Sequence, residues 1–318
     1  MSVLLLLVGF YLVIKGADFL VEGGSSLAKK LHISELAIGL TVIAFGTSLP
    51  ELSVNITASI KGDSEIAVTN VLGSNTANIL LILGISSIIF PLVVTKGTVW
   101  KEIPFSLLAA VVLSLLTINN ITRGSDYSEL TRIDGLILLC FFVIFLYYTA
   151  GIAKEASVVT ENSPKTIYSV KKSAIFITGG LVLLIFGGRW IVNGAVNVAE
   201  TLHIRESVIG ATIVAIGTSI PELATSVVAA FKKNPDIAVG NVIGSNIFNI
   251  SLILAISTII RPLKIYSSDI VHFAAVIIAS LVLFICMFTG KKRIIDRWEG
   301  WLLLGGYIIY IITVLILK

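Results

Sequence analysis

Charge is scarce in this chain. Asp, Glu, Lys and Arg make up 13% of its 318 residues, where a soluble domain carries about a quarter. With 56% hydrophobic residues and a mean hydropathy of +1.00, that deficit excludes an ordinary water-soluble fold and points to a chain solvated by lipid. Cysteine is almost absent. Cys140 and Cys286 both fall within apolar runs and read as small buried hydrophobes, not as a disulfide or a thiolate metal centre. There are three histidines: His32 and His203 fall at expected span entrances, and His272 reads as a helix-face residue. No Cys or His lies where zinc or copper would need it. No Ser–His, paired-aspartate or His–Glu–His arrangement suits intramembrane catalysis, so neither an enzyme nor a cofactor is expected. The net charge of +4 fits loop lysines better than a nucleic-acid partner. The first apolar run has no basic leader and no small-residue cleavage site, so it reads as a retained helix.

What fills the chain instead is a series of apolar runs, each long enough to cross a bilayer, roughly 20 residues. The expected fold is an all-α membrane protein of ten transmembrane helices. They fall near 2–26, 35–60, 66–90, 102–118, 133–153, 173–197, 206–231, 236–259, 268–289 and 298–317. The one long polar interruption is Lys154–Lys172. It divides the chain into five-helix halves at 1–153 and 173–318, joined by a linker at 154–172 within one transport domain. Basic residues in the loops after odd-numbered spans outnumber the rest by about two to one. That bias places the linker in the cytoplasm and both termini outside the cell membrane.

The halves are copies. Shifted by 171 positions, "LHISE" at Leu31–Glu35 meets "LHIRE" at Leu202–Glu206, and "IAVTNVLGSNTANI" at Ile66–Ile79 meets "IAVGNVIGSNIFNI" at Ile237–Ile250. The shared positions include Gly, Asn, Ser, Thr and Glu, which apolar composition alone would not match. Five spans per half is an odd number, so the second copy enters the membrane from the other face. The repeats are therefore expected to be inverted, as in secondary transporters that bind substrate midway between their halves.

Each half carries one ionisable group deep in an apolar run, within "AFGTSLPEL" at Ala44–Leu52 and "AIGTSIPEL" at Ala215–Leu223. On a continuous helix, Ala44, Thr47, Ser48 and Glu51 share a face by their i, i+3, i+4, i+7 spacing, as do Ala215, Thr218, Ser219 and Glu222. Pro50 and Pro221 lack an amide hydrogen, so each is expected to free carbonyls one turn earlier. The next span adds Ser74 and Asn78 in one half, and Ser245 and Asn249 in the other. Gly73 and Gly244 permit close backbone approach. Carboxylate, hydroxyl, amide and carbonyl oxygens together suit a hard cation such as Ca²⁺. Taken singly, a membrane serine or threonine mostly bonds back to its own helix, and a proline mostly kinks. The glutamates decide the matter, because a charge at the bilayer centre costs at least about 2.5 kcal/mol, and here it recurs at symmetric positions. Asp18 and Glu22 read as a structural ion pair or as snorkelling groups. Asn55 and Thr57 are weaker pathway candidates, since their counterparts are Ser226 and Val228.

These motifs resemble the two alpha-repeats of the cation/calcium antiporter superfamily, especially its sodium/calcium exchanger branch of prokaryotic type. The resemblance rests on "GTSLPE", "GTSIPE" and the paired "GSN", and covers nearly the whole chain. It implies an antiporter exchanging Na⁺ for Ca²⁺ by alternating access, with Glu51 and Glu222 as the central carboxylates. Thr47, Ser48, Thr218 and Ser219 would add oxygens, Ala44 and Ala215 backbone carbonyls, and Ser74, Asn78, Ser245 and Asn249 the rest of four neighbouring sites. The first and sixth spans, near Gly16 and Gly187, would slide across the core. A monomer is sufficient for such transport. One position departs from the pattern: exchangers of the branch often carry aspartate where this chain has Asn249. Two carboxylates balance one Ca²⁺ or two Na⁺, and a third Na⁺ would leave net charge in a poorly solvated site. A buried glutamate without a cation can hold a proton instead, so Ca²⁺/H⁺ exchange is the alternative. A potassium-dependent exchanger or a cation channel ranks lower.

Overall fold

The computed structural model describes residues 2–121, 127–153, 167–201 and 217–317. Arg123, Lys154, Lys165, His203, Arg205, Glu206 and Ala215 lie outside them, as does most of the expected linker. Among the described residues, eight helices are long and apolar enough to cross a membrane, or nine when one bent pair counts as a single span. They coincide with nine of the ten expected segments. The remaining one, 206–231, is represented by the shorter helix α10, Ile220–Phe231.

Helix α1 runs Ser2–Leu31 and α9 Val170–Thr201, α1 extending past its expected end and α9 past both of its expected ends. They pack antiparallel through glycines spaced by seven. A Cβ at Gly16 would lie 2.8 Å from the Gly180 carbonyl oxygen, and one at Gly180 would lie 2.7 Å from that of Gly16. Gly9 meets Gly187, and Gly23 meets Ser173, in the same way. A glycine on at least one of the two facing helices allows backbones this close.

The second span is built from α2 (Glu35–Ile38), a π turn at Gly39–Ile43, α3 (Ala44–Thr47) and α4 (Leu49–Lys61), with a 46° bend between α3 and α4. The third is α5 (Ser64–Ala77), a π turn at Asn78–Ile82 and α6 (Leu83–Ile89). Its counterpart is α11 (Pro235–Phe248), a π turn at Asn249–Leu254 and α12 (Ala255–Ile260). These two spans form the centre. Their apolar windows are 72% and 78% buried, against 22–39% for the other long apolar helices. The copies also start alike: Asp63 caps α5 through the amide of Ile66, and Asn234 caps α11 through that of Ile237, both at 3.1 Å. Gly62 and Lys233 precede the caps in the left-handed region, with φ of 84° and 56°.

The outer spans are α7 (Ile103–Ile121), α8 (Arg132–Ile152), α13 (Ile270–Cys286) and α14 (Arg297–Leu317). Two short antiparallel ribbons join the loops. β1 (Leu92–Val93) pairs with β4 (Ile294–Ile295), and β2 (Tyr127–Leu130) with β3 (Leu263–Tyr266). Numbered by the expected segments, the first ribbon joins two loops that follow odd-numbered spans, and the second joins two that follow even-numbered ones. Near the chain's linker, Tyr168 donates its amide to Ser26 Oγ (2.7 Å), and Lys232 ion-pairs with Asp18 (2.5 Å) and Glu22 (3.9 Å). This end is called the linker face below. Asp18 and Glu22 are thus structural partners of a loop lysine. His32 ends α1 with φ of 56°. His272 is buried, with Nδ1 2.7 Å from the Tyr310 hydroxyl. Cys286 is buried as expected, but Cys140 faces outward, and both are free thiols.

Candidate functional site

The two motifs do not lie on continuous helices. The backbone leaves helical geometry at Ser48 (φ −83°, ψ 6°) and again at Ser219 (φ −86°, ψ 5°). Pro50 and Pro221 then sit in the first turns of α4 and α10, where a missing amide hydrogen costs nothing. Glu51 and Glu222 occupy those same first turns, at the positive end of each helix dipole. Pro50 is expected to free the carbonyls around Ala44 to Gly46, and of these the Ala44 oxygen has protein donors near it. That oxygen accepts from the Ser48 amide (3.1 Å), the Thr47 hydroxyl (3.3 Å) and the Ser245 hydroxyl (3.5 Å). Ending the helix at Ser48 lets its amide fold back onto this carbonyl. The equivalent carbonyl, of Ala215, lies outside the described residues.

The breaks bring the halves together through pairs of matching bonds. Ser48 Oγ donates to Glu222 Oε1 (3.0 Å), and Ser219 Oγ donates to Glu51 Oε1 (3.3 Å). Ser245 Oγ also reaches Glu222 Oε1 (3.4 Å), while Ser219 and Ser74 hydroxyls meet at 3.2 Å. Thr47, Ser48, Glu51, Ser74, Asn78, Ser219, Glu222, Ser245 and Asn249 are all buried, and Ala44 with them. Thr218 is half-buried. All the expected side chains that are described therefore converge on one place.

Four asparagines that the sequence reading passed over complete the arrangement. Asn78 Nδ2 donates to Asn246 Oδ1 (3.0 Å), and Asn249 Nδ2 donates to Asn75 Oδ1 (2.9 Å). Thr47 donates to Asn241 Oδ1 (3.0 Å), and Thr218 donates to Asn70 Oδ1 (3.4 Å). Every one of these bonds crosses from one half to the other, and each has its partner 171 residues away. The missed signal was identity across the repeat, since Asn70 matches Asn241 and Asn75 matches Asn246.

The outcome is a set of unanswered acceptors. Glu51 Oε2, Glu222 Oε2, Asn78 Oδ1 and Asn249 Oδ1 are buried and find no hydrogen-bond donor among the described residues. With their amide nitrogens turned onto Asn246 and Asn75, Asn78 and Asn249 offer only oxygen. Among the described residues, no Lys, Arg or His forms an ion pair with either glutamate. Buried acceptors left this way are strongly unfavourable unless something positive meets them. Two carboxylates, two amide oxygens and neighbouring hydroxyls make a hard-cation donor set. Among the described residues, no cluster of three or more His, Cys, Asp or Glu offers a rival metal centre.

The chain is similar to known proteins along nearly its whole length. The profile of the sodium/calcium exchanger protein family matches residues 1–151 and 172–316. The chain is 32% identical to the sodium/calcium exchanger MaX1 of Methanosarcina acetivorans, over 98% of this chain and 97% of that one. It is 35% identical to the inner membrane protein YrbG of Escherichia coli, over 96% and 94% of the two chains. The solved structure of the sodium-calcium exchanger NCX_Mj superimposes with a TM-score of 0.82, at 36% identity and 98% coverage of both chains.

Proposed function

The chain belongs to the sodium/calcium exchanger protein family, and from that premise we propose that it is a secondary antiporter that expels Ca²⁺ in exchange for Na⁺ by alternating access. Membership of the family supports transport of a cation against Ca²⁺ in a membrane. The choice of Na⁺ as counter-ion is the finer part of the reading. The observation that carries the cation-exchange reading is the group of buried oxygens on Glu51, Glu222, Asn78 and Asn249 that find no donor among the described residues. In this reading Na⁺ and Ca²⁺ compete for the two carboxylates. Thr47, Ser48, Thr218, Ser219, Ser74, Ser245 and the carbonyls of Ala44 and Ala215 complete the ligand shell. Two inverted five-helix halves build the site, a reading supported by the antiparallel α1 and α9 and by the cross-half bonds that recur at the repeat offset. The linker lies in the cytoplasm and both termini outside.

Exchange without leak follows from electrostatics. A loaded site is close to neutral, whereas an empty one holds two uncompensated carboxylates and resists passing through a closed, dry intermediate. No chemical step on a substrate is proposed.

Ca²⁺/H⁺ exchange is the second reading, favoured by one observation: Asn249 stands where a third carboxylate would strengthen Na⁺ binding. Uptake of ⁴⁵Ca²⁺ into proteoliposomes separates them. A Na⁺ gradient at constant pH is expected to drive uptake. Uptake driven only by a pH gradient, with Na⁺ absent and Na⁺ gradients inactive, would overturn the first reading.

A further inference from the structure

The two threonine–asparagine contacts are chemically identical but unequal in setting. Thr47 and Asn241 are both 0% exposed, while Thr218 and Asn70 are both half-buried. Each contact lies on a different side of the glutamates. Asn241 is six residues into α11, which starts beside Ser25 and Lys232 at the linker face. Asn70 is six residues into α5, which starts by Gly62, packed against Arg261 at the opposite face.

Each contact also ties a motif of one half to the central span of the other. Asn241 passes the restraint on, donating to Ser226 Oγ (3.0 Å) and to the backbone carbonyl of Glu222 (3.3 Å). Asn70 donates to Asn55 Oδ1 (2.7 Å), one turn beyond Glu51. On the linker face the bond is 3.0 Å and buried, and on the other it is 3.4 Å and reached by solvent.

We propose that Thr47–Asn241 and Thr218–Asn70 are a matched pair of clasps, each closing one face of the cation site, and that they trade tight and loose states as access alternates. Asn241 and Asn70 are positioning residues in this scheme. Both act on cations through the threonines and the glutamate-bearing helices. The inference rests on the alternating-access reading above and adds the device that sets sidedness.

A neutral hydrogen bond is worth about a fivefold shift between two states. Asn241→Ala loosens the linker-face clasp and biases the protein open there, while Asn70→Ala biases it the other way. The readout is ⁴⁵Ca²⁺ self-exchange in membrane vesicles of each orientation, which needs no counter-ion. The ratio of the apparent KM for Ca²⁺ at the two faces is expected to move about fivefold in opposite directions in the two variants. The double variant is expected to return close to the native ratio, which a merely structural role would not produce. Should an alanine variant fail to reach the membrane, Asn241→Leu or Asn70→Leu removes the same bond at similar volume, with the same expected direction. Equal or parallel shifts in the ratio would overturn the clasps while leaving the exchanger reading intact. Absence of Ca²⁺ self-exchange in the native protein would overturn both.

Discussion

Replacing either central carboxylate by its amide tests the site from two directions. Glu51→Gln and Glu222→Gln keep the size of the side chain and an oxygen for Ser219 or Ser48 to donate to. What they remove is one of two carboxylate charges, each with an Oε2 that finds no donor among the described residues. At about 4 Å and an effective dielectric near 20, one unit charge acts on another with about 4 kcal/mol, hence about 8 kcal/mol on Ca²⁺. Relaxation and solvent recover part of this, but retaining only a third of the loss, about 2.7 kcal/mol, still weakens Ca²⁺ about a hundredfold. The divalent ion loses twice what Na⁺ loses, so selectivity shifts towards Na⁺. The empty protein responds with the opposite sign, because a neutral amide relieves two buried like charges. In alkaline buffer with chelator, both variants are therefore expected to melt above the native protein. Added Ca²⁺ should raise the native melting temperature and leave the variants nearly unmoved. Thermal melts in detergent, with and without Ca²⁺, read both effects on one sample. Native-like Ca²⁺ stabilisation in either variant would refute the assignment of that carboxylate to the cation.

Gly16→Ala places a methyl group against the Gly180 carbonyl, where backbone on both sides leaves nothing to rotate away; a loss of about 1–3 kcal/mol is expected. Gly179→Ala, whose added carbon would meet nothing within 4 Å, serves as the control, and equal melting temperatures for the two would count against the close helix contact. Two carboxylates neutralise one Ca²⁺ or two Na⁺, so exchange is expected to proceed at a rate independent of membrane potential. Asn249→Asp adds a charge and should make the rate potential-dependent, a difference that K⁺ and valinomycin diffusion potentials would report.

The sequence carried the architecture well and the local geometry poorly. The 171-residue offset was visible because Gly, Asn, Ser and Glu recur in register, and lipid exposure explains why nearly every span was found. The single-face spacing from Ala44 to Glu51 misled, because it assumed one helix where the chain breaks at Ser48. Helix periodicity says nothing about such a break, and Pro50 marks the start of the next helix instead of a kink within one. Glu51, Glu222, Asn78 and Asn249 were legible as oxygens in unusual places. Asn75 and Asn246 were not, because their work is to occupy the amide nitrogens of Asn249 and Asn78 across the interface. That is a tertiary relation, which no local pattern records.

The matched cross-half bonds carry a thermodynamic consequence. If the halves exchange roles during transport, two identical repeats would make the states open to either face the same structure turned over by a two-fold rotation in the membrane plane. Structures related by a rotation have equal energy, so such a protein would divide its time evenly between the two faces. Any resting preference must then be written at positions where the copies disagree. Asn55 and Ser226 are one such pair: Asn55 reaches both the Ala67 carbonyl (2.9 Å) and Ser257 Oγ (3.3 Å), whereas Ser226 reaches the Ala238 carbonyl (3.3 Å), and Ser86, the counterpart of Ser257, has no partner among the described residues. Divergence between the repeats, which looks like decay of an old duplication, is thus a place where this chain can store a direction.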